Sequence, residues 1–226
     1  MTGLREKNKA RRRGAILDAA LTLLRDEAMA SVTIERIASR AGVSPPTVYN
    51  LVGTREQLWV ALVERVVDDL VASLADLTAD EDPDPIGRAL AAVDSTVAAF
   101  VSESGAFRQI ARSLGEFSAS GSRVSFDPVQ IHVWAMRRAQ ELGVLRPDLD
   151  PEALGRQSYL TYVAALNGWA AGGLSDRGFR IAARHGLLTV VVSAVSEGHR
   201  ERYLEELRQV SSRFAKVAWN AEATGR

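Results

Sequence analysis

Residues 42–52 read GVSPPTVYNLV. Ser44, Thr47, Tyr49 and Asn50 supply two hydroxyls, a phenol and an amide, and no acid lies between Arg36 and Arg55. These groups suit a polyanion. Hydroxyls and the first N–H groups of a helix bind phosphates, and an Asn amide can pair bidentately with adenine. Pro45 and Pro46 mark the start of the helix that would carry them. A helix leaves its first N–H groups without internal partners, so prolines there forfeit nothing. Their small neighbours would let the backbone approach base edges closely. An αα-corner inside a helical bundle would show the same pattern, and the pattern favours neither reading.

A helix over residues 45–51 would present Ser44, Pro45, Thr47, Tyr49 and Asn50 outward and Val48, Leu51 and Val52 inward. Its N-cap is Ser44, with Val43 stapled onto Val48. Before it, Thr33 caps a short helix lined by Ile34, Ile37, Ala38 and Ala41, and Gly42 fits the left-handed position that ends it. A helix from Gly14 to Ala28 precedes both, with Ile16, Leu17, Ala20, Leu21 and Leu24 on one face. After Gly53, the stretch Thr54-Arg55-Glu56-Gln57 has capping-box form. Leu58, Leu62, Val66, Leu70 and Leu74 then repeat to about Thr78. Two short helices joined by a turn with Gly form a helix-turn-helix.

Charge separates this module from the rest. Net charge is zero, yet residues 1–55 carry ten Lys/Arg against five Asp/Glu. Six of the basic residues lie between Arg5 and Arg13. A basic head on an acidic body points to a polyanion partner for the head, or to a solvated terminus. The chain has no cysteine, which excludes disulfides and thiolate metal sites. His132, His185 and His199 are scattered without ligand spacing, so no metal is expected. The basic N-terminus leads into no signal-peptide core, and LLTVVVSAV at 187–195 is too short to cross a bilayer. A soluble cytoplasmic protein without a membrane partner is expected.

Residues 13–64 resemble the N-terminal domain of the TetR family of bacterial transcriptional repressors. AILDAA, then TIERIA, then AGVSPPTVY, then the basic residue and leucine of TREQL recur in order and at the family's spacing. The resemblance implies that Thr33, Thr47, Tyr49 and Arg55 grip phosphates. It places Ser44, Pro45, Pro46 and Asn50 nearest the base edges. Arg11, Arg12 and Arg13 could reach a neighbouring groove or remain a solvated arm. Val52 stands where the family often has Phe, and Arg55 where it often has Lys. Asn50 and Leu51 replace larger side chains, so no operator sequence carries over.

The expected architecture is all-α, with a helix-turn-helix domain of three short helices over 1–56 and a larger helical domain over 57–226. The resemblance makes the larger domain a ligand-binding and dimerisation domain. Its punctuation predicts a break at ADEDPDP (79–85), a helix over 85–102, a shorter one around Phe107–Leu114, and a loop at ASGSRVSF (119–126). Asp127 and Pro128 would then open a helix to about Leu142. Helices over Pro151–Gly172, rich in small residues, and Asp176–Ser196 would form a homodimer interface by resemblance, or pack within the chain. A last helix would span about Arg200–Ala221. Phe100, Phe107, Ile110, Leu114, Trp134, Tyr159 and Tyr162 would line a pocket for a mostly apolar small molecule, or serve as plain core.

No Gly-rich phosphate loop, metal cluster or nucleophile motif points to an enzyme, and no cofactor is expected. The resulting expectation is a ligand-responsive, dimeric DNA-binding regulator. By resemblance it represses from a palindromic double-stranded operator and is released by a small molecule. The alternative is a helical small-molecule-binding or interaction protein that binds no operator.

Overall fold

The computed structural model describes residues 2–75, 84–119 and 129–217. Among these, ten α-helices follow in order: α1 (Thr2–Asp26), α2 (Ile34–Ala41), α3 (Pro45–Leu51), α4 (Arg55–Ala75), α5 (Pro85–Ser102), α6 (Ser104–Ala119), α7 (Val129–Glu141), α8 (Pro151–Ala170), α9 (Asp176–Ala194) and α10 (Arg200–Phe214). One 3-10 turn, Met29–Ser31, joins α1 to α2, and another, Glu197–His199, leads into α10. The fold is all-α; an isolated bridge between Leu145 and Val195 is the one β pairing among the described residues. No helix there is long and apolar enough to cross a membrane. The expected break at 79–85, the loop at 119–126, the Asp127–Pro128 cap and the turns beyond Val217 lie largely or wholly outside the described residues.

The chain forms two compact units. The first runs to Val66 and takes in the segment that begins at Glu103; the second holds the remainder. The division therefore falls inside α4, and α6 joins the unit of the helix-turn-helix.

In the first unit, the stripe Ile16, Ala20 and Leu24 of α1 is buried together with Val32, Ile37, Val48, Leu58 and Leu62. Local chemistry fixes the turns. The Thr33 hydroxyl accepts the Arg36 N–H at 3.4 Å, and Gly42 takes φ 65° and ψ 34°, which a Cβ would strain. At α4 the capping box closes both ways. Gln57 Oε1 accepts the Thr54 N–H at 2.8 Å, and Thr54 Oγ1 accepts the Gln57 N–H at 3.3 Å.

Two local expectations change. Ser44 has the extended backbone of an N-cap, but its hydroxyl does not bond a backbone N–H; it pairs with Thr47 Oγ1 at 2.9 Å. Another hydroxyl three residues on competes with the backbone for it. The basic N-terminal segment is likewise no separate arm but the first three turns of α1. Lys, Arg and Glu favour helix, and Gly14 alone does not outweigh them.

Gln109 ties α6 to the end of α1. Its Nε2 donates to the Leu24 and Glu27 carbonyls at 3.1 and 3.0 Å, and its Oε1 accepts the Met29 N–H at 2.6 Å. One side chain thus satisfies groups that the C-terminus of α1 leaves open. Arg25 and Glu103 form a two-pronged ion pair beside it.

In the second unit α7, α8 and α9 pack side by side, and α5 and α10 pack on this layer. Glycines permit the closest approaches. A Cβ on Gly155 would lie 2.5 Å from the Val133 Cα, and one on Gly186 would lie 2.6 Å from Thr161 Oγ1. An aromatic series fills the interior: Phe100 edge-on to Trp169, Trp169 stacked on Phe179, Phe179 tilted against Tyr162. His132 is buried, with Nδ1 2.9 Å from the Ser158 hydroxyl.

Candidate nucleic-acid interface

Seven residues make α3, and its chemistry is sorted by face. Val48 is fully buried, whereas Tyr49 is 52% exposed and Ser44, Pro46 and Asn50 are also exposed. The Tyr49 ring therefore does not belong to a core, and its hydroxyl is available to solvent. Pro45 and Pro46 occupy the first turn. Ser44 and Thr47 share one hydrogen bond between two hydroxyls. One O–H proton of the pair therefore remains to be donated outward. Thr33, at the start of α2, is exposed while its oxygen caps the helix.

The cations nearby divide into those bound within the module and those turned to solvent. Arg36 is bound to the Glu27 carboxylate and donates to the Ser31 carbonyl at 3.0 Å. Arg13 donates to the Leu51 carbonyl at 3.3 Å, closing the C-terminal end of α3 from α1. Arg55, expected on phosphate, is half-buried. It donates to the Met29 carbonyl and lies over the Trp59 ring, 5.9 Å from its centroid. That contact fixes the start of α4 against the turn before α2. By contrast, Arg5, Lys7, Lys9, Arg11 and Arg12 are exposed along the first turns of α1.

An exposed polar helix, opened by prolines and backed by one buried valine, is presented by a capped helix-turn-helix. Residues 16–62 match the family model described as bacterial regulatory proteins, tetR family. This stretch thus matches the DNA-binding domain of that family. The HTH-type transcriptional regulator BetI of Rhizobium meliloti (strain 1021) is 39% identical over 67 residues, which is 28% of this chain and 33% of BetI. The chain thus spans about a third or less of the curated relatives it matches. Solved structures match over more of it. SmeT, the repressor of the Stenotrophomonas maltophilia multidrug efflux pump SmeDEF, superposes with a TM-score of 0.64 at 26% identity, covering 82% of this chain and 91% of SmeT. SmeT has also been solved as a triclosan complex, which matches at TM-score 0.58 and 24% identity over 83% of this chain and 93% of that one. FadR of Thermus thermophilus, a TetR-family repressor in complex with lauroyl-CoA, gives 0.65 at 19% identity, covering 82% and 96%. The helix-turn-helix resembles that of bacterial regulatory proteins, and the fold as a whole resembles these solved structures.

The residues expected around a ligand fall into both units of the chain. Phe107 and Ile110 are buried in the unit of the helix-turn-helix, and Leu114 lies on the same helix, its side chain outside the described residues. Phe100, Trp134, Tyr159 and Tyr162 belong to the second unit. Phe100 sits in the aromatic interior, while Trp134 and Tyr159 are half-buried. The Tyr159 ring stands edge-on to His132 at 5.7 Å. Burial pushes the Tyr162 phenol pKa up. Burial also pulls the His132 imidazole down to about 4, so it is neutral at pH 7. Sequence reasoning missed His132, Ser158 and Gln109 as organising residues. His132 and Ser158 lie 26 residues apart, the α1 and Met29 groups that Gln109 binds lie 80 or more away, and no local period marks them.

Proposed function

We propose that this chain is a TetR-family transcriptional regulator that binds a palindromic double-stranded operator as a homodimer, represses from it, and is released by a mostly apolar small molecule. The observation that carries this reading is α3: Thr47, Tyr49 and Asn50 standing beside Ser44 and the prolines on a turn with no slack. Tyr49, Thr47 and Thr33 supply donors to phosphate, and Asn50 is the side chain placed to read a base edge. Arg55 acts from behind, by holding the start of α4 to Met29. The operator-binding part corresponds to residues 1–56, and 57–226 serve the ligand and the dimer.

Binding to operators selected from random duplexes tests it. Tyr49→Phe should weaken binding about fivefold to tenfold on every operator, because a lost phosphate hydrogen bond costs about 1 kcal/mol and carries no sequence information. Asn50→Ala should instead change which operators are preferred. Selection that enriches no duplex would return the chain to the alternative, a helical ligand-binding or interaction protein.

The dimer is assigned to α8 and α9. On α8, Ala153, Gln157, Leu160 and Ala164 are exposed at helical spacing, and Leu160 is 58% exposed. A two-fold pair would set the recognition helices about 34–36 Å apart, or a multiple of that. Leu160→Arg should give a monomer in sedimentation, with operator affinity falling because each monomer then holds one half-site. A dimer that tolerates this change would move the interface elsewhere. For the effector, support comes from the half-buried Trp134 and Tyr159 of the second unit and from neighbours solved with triclosan and lauroyl-CoA. Trp134 and Tyr159 are the contacts proposed, with Tyr162 behind them.

A further inference from the structure

We propose that the first three turns of α1 form a second DNA-binding surface, which holds the phosphate backbone beside the half-site read by α3. The proposal rests on the operator-binding reading above and adds to it.

The argument begins with one stripe. Arg5, Lys9, Arg12, Ile16, Ala19 and Leu23 recur at alternating steps of four and three, so they share one face of α1. Ile16, Ala19 and Leu23 are buried in the core of the helix-turn-helix unit. Arg5, Lys9 and Arg12 continue that face where the helix runs past the module, and all three are exposed. The side that packs on the module thus turns cationic once it overhangs. No ion-pair partner meets these three among the described residues.

Register places the overhang. Arg13, the next residue, donates to the Leu51 carbonyl at the C-terminal end of α3. The cationic turns therefore begin beside the end of the recognition helix, within the same compact unit. From Thr2 to Arg13 they extend roughly 17 Å, at 1.5 Å per residue, comparable to about five steps of duplex. Three cations on such a face match a phosphate row in sign and spacing, and grip of that kind positions the protein without reading sequence. A solvated extension would need no such alignment with the buried stripe. Lys7 and Arg11 lie on the opposite face and provide an internal control.

The full-length chain is tested on its selected operator by fluorescence anisotropy across a salt series. Arg5→Gln/Lys9→Gln/Arg12→Gln should reduce the slope of log K against log salt by about 2.7 per half-site, and so by about 5.4 for the dimer on its full operator, or about 0.9 for each phosphate no longer neutralised. Lys7→Gln/Arg11→Gln should change it much less, and Arg5→Lys/Lys9→Arg/Arg12→Lys should restore it. Gln is a good helix former and all three sites are exposed, so circular dichroism should not change. An unchanged slope in the triple variant, or an equal loss in the opposite-face pair, would overturn the proposal while leaving operator binding by α3 intact. If selection yields no bound duplex, the operator-binding reading falls and this surface with it.

Discussion

Gly155→Ala should destabilise the second unit by about 3 kcal/mol, read as a lower midpoint in urea without a change in slope. A single methyl is enough. The new Cβ would lie 2.5 Å from the Val133 Cα and 2.7 Å from its nitrogen, and both are backbone atoms that no rotamer change can move. α7 and α8 would have to separate where they touch, and the layer they form with α9 would pack less closely on either side. Gly14→Ala makes the matched control, because an added Cβ there meets nothing within 4 Å. It should stabilise α1 by about 1 kcal/mol, the helix propensity difference between the two residues. The same chemical change thus carries opposite signs at two helical glycines. Equal effects would show that α7 and α8 are not as close as described.

Acid should weaken the fold through His132. Burial holds its pKa at about 4 in the folded chain, against 6.5 for the free side chain. Above pH 6.5 both states are neutral there, and His132 contributes no pH dependence. As pH falls below 6.5 the unfolded chain takes up a proton that the folded chain does not, so stability drops. The loss is about 2 kcal/mol at pH 5 and saturates near 3 kcal/mol below pH 4. Carboxylates also titrate in that range, so the measurement is a difference. Unfolding of the native chain and of His132→Asn is followed between pH 7.5 and pH 5. Asn cannot take up the proton yet retains a polar group toward Ser158. The native chain should lose about 2 kcal/mol more than the variant over this interval, and parallel curves would contradict the buried imidazole.

What is legible in the sequence is what neighbours decide. Thr33, Gly42, Pro45 and the Thr54–Gln57 pair each act within four residues, and α2, α3 and α4 start where these residues place them. α5, α8 and α9 follow equally from apolar period and flanking Pro, Asp and Ser. Ser44 shows the limit of local rules, since Thr47 offers its hydroxyl a partner that competes with the backbone. Other features depend on distance along the chain. Small residues cluster around Gly168 and suggest close helix approach there, and no local signal marks Gly155 and Gly186, where α7 and α8 atoms come within 2.5 and 2.6 Å of an added Cβ. Arg55 has the spacing of a phosphate ligand, and only the fold brings the Met29 carbonyl to it. α6 carries no sign in its own residues that it packs with α1, because Gln109 bonds to backbone groups, which every sequence possesses.

The Met29 backbone is held on both sides, its N–H by Gln109 of α6 and its carbonyl by Arg55 of α4. Its amide proton can be replaced by deuterium only while the first of these bonds is open. A single backbone site therefore clocks how often α6 lets go of the reading head, with no operator or effector needed in the tube. Swapping Gln109 for Leu should quicken that clock while leaving amides in the middle of α9 at their former pace.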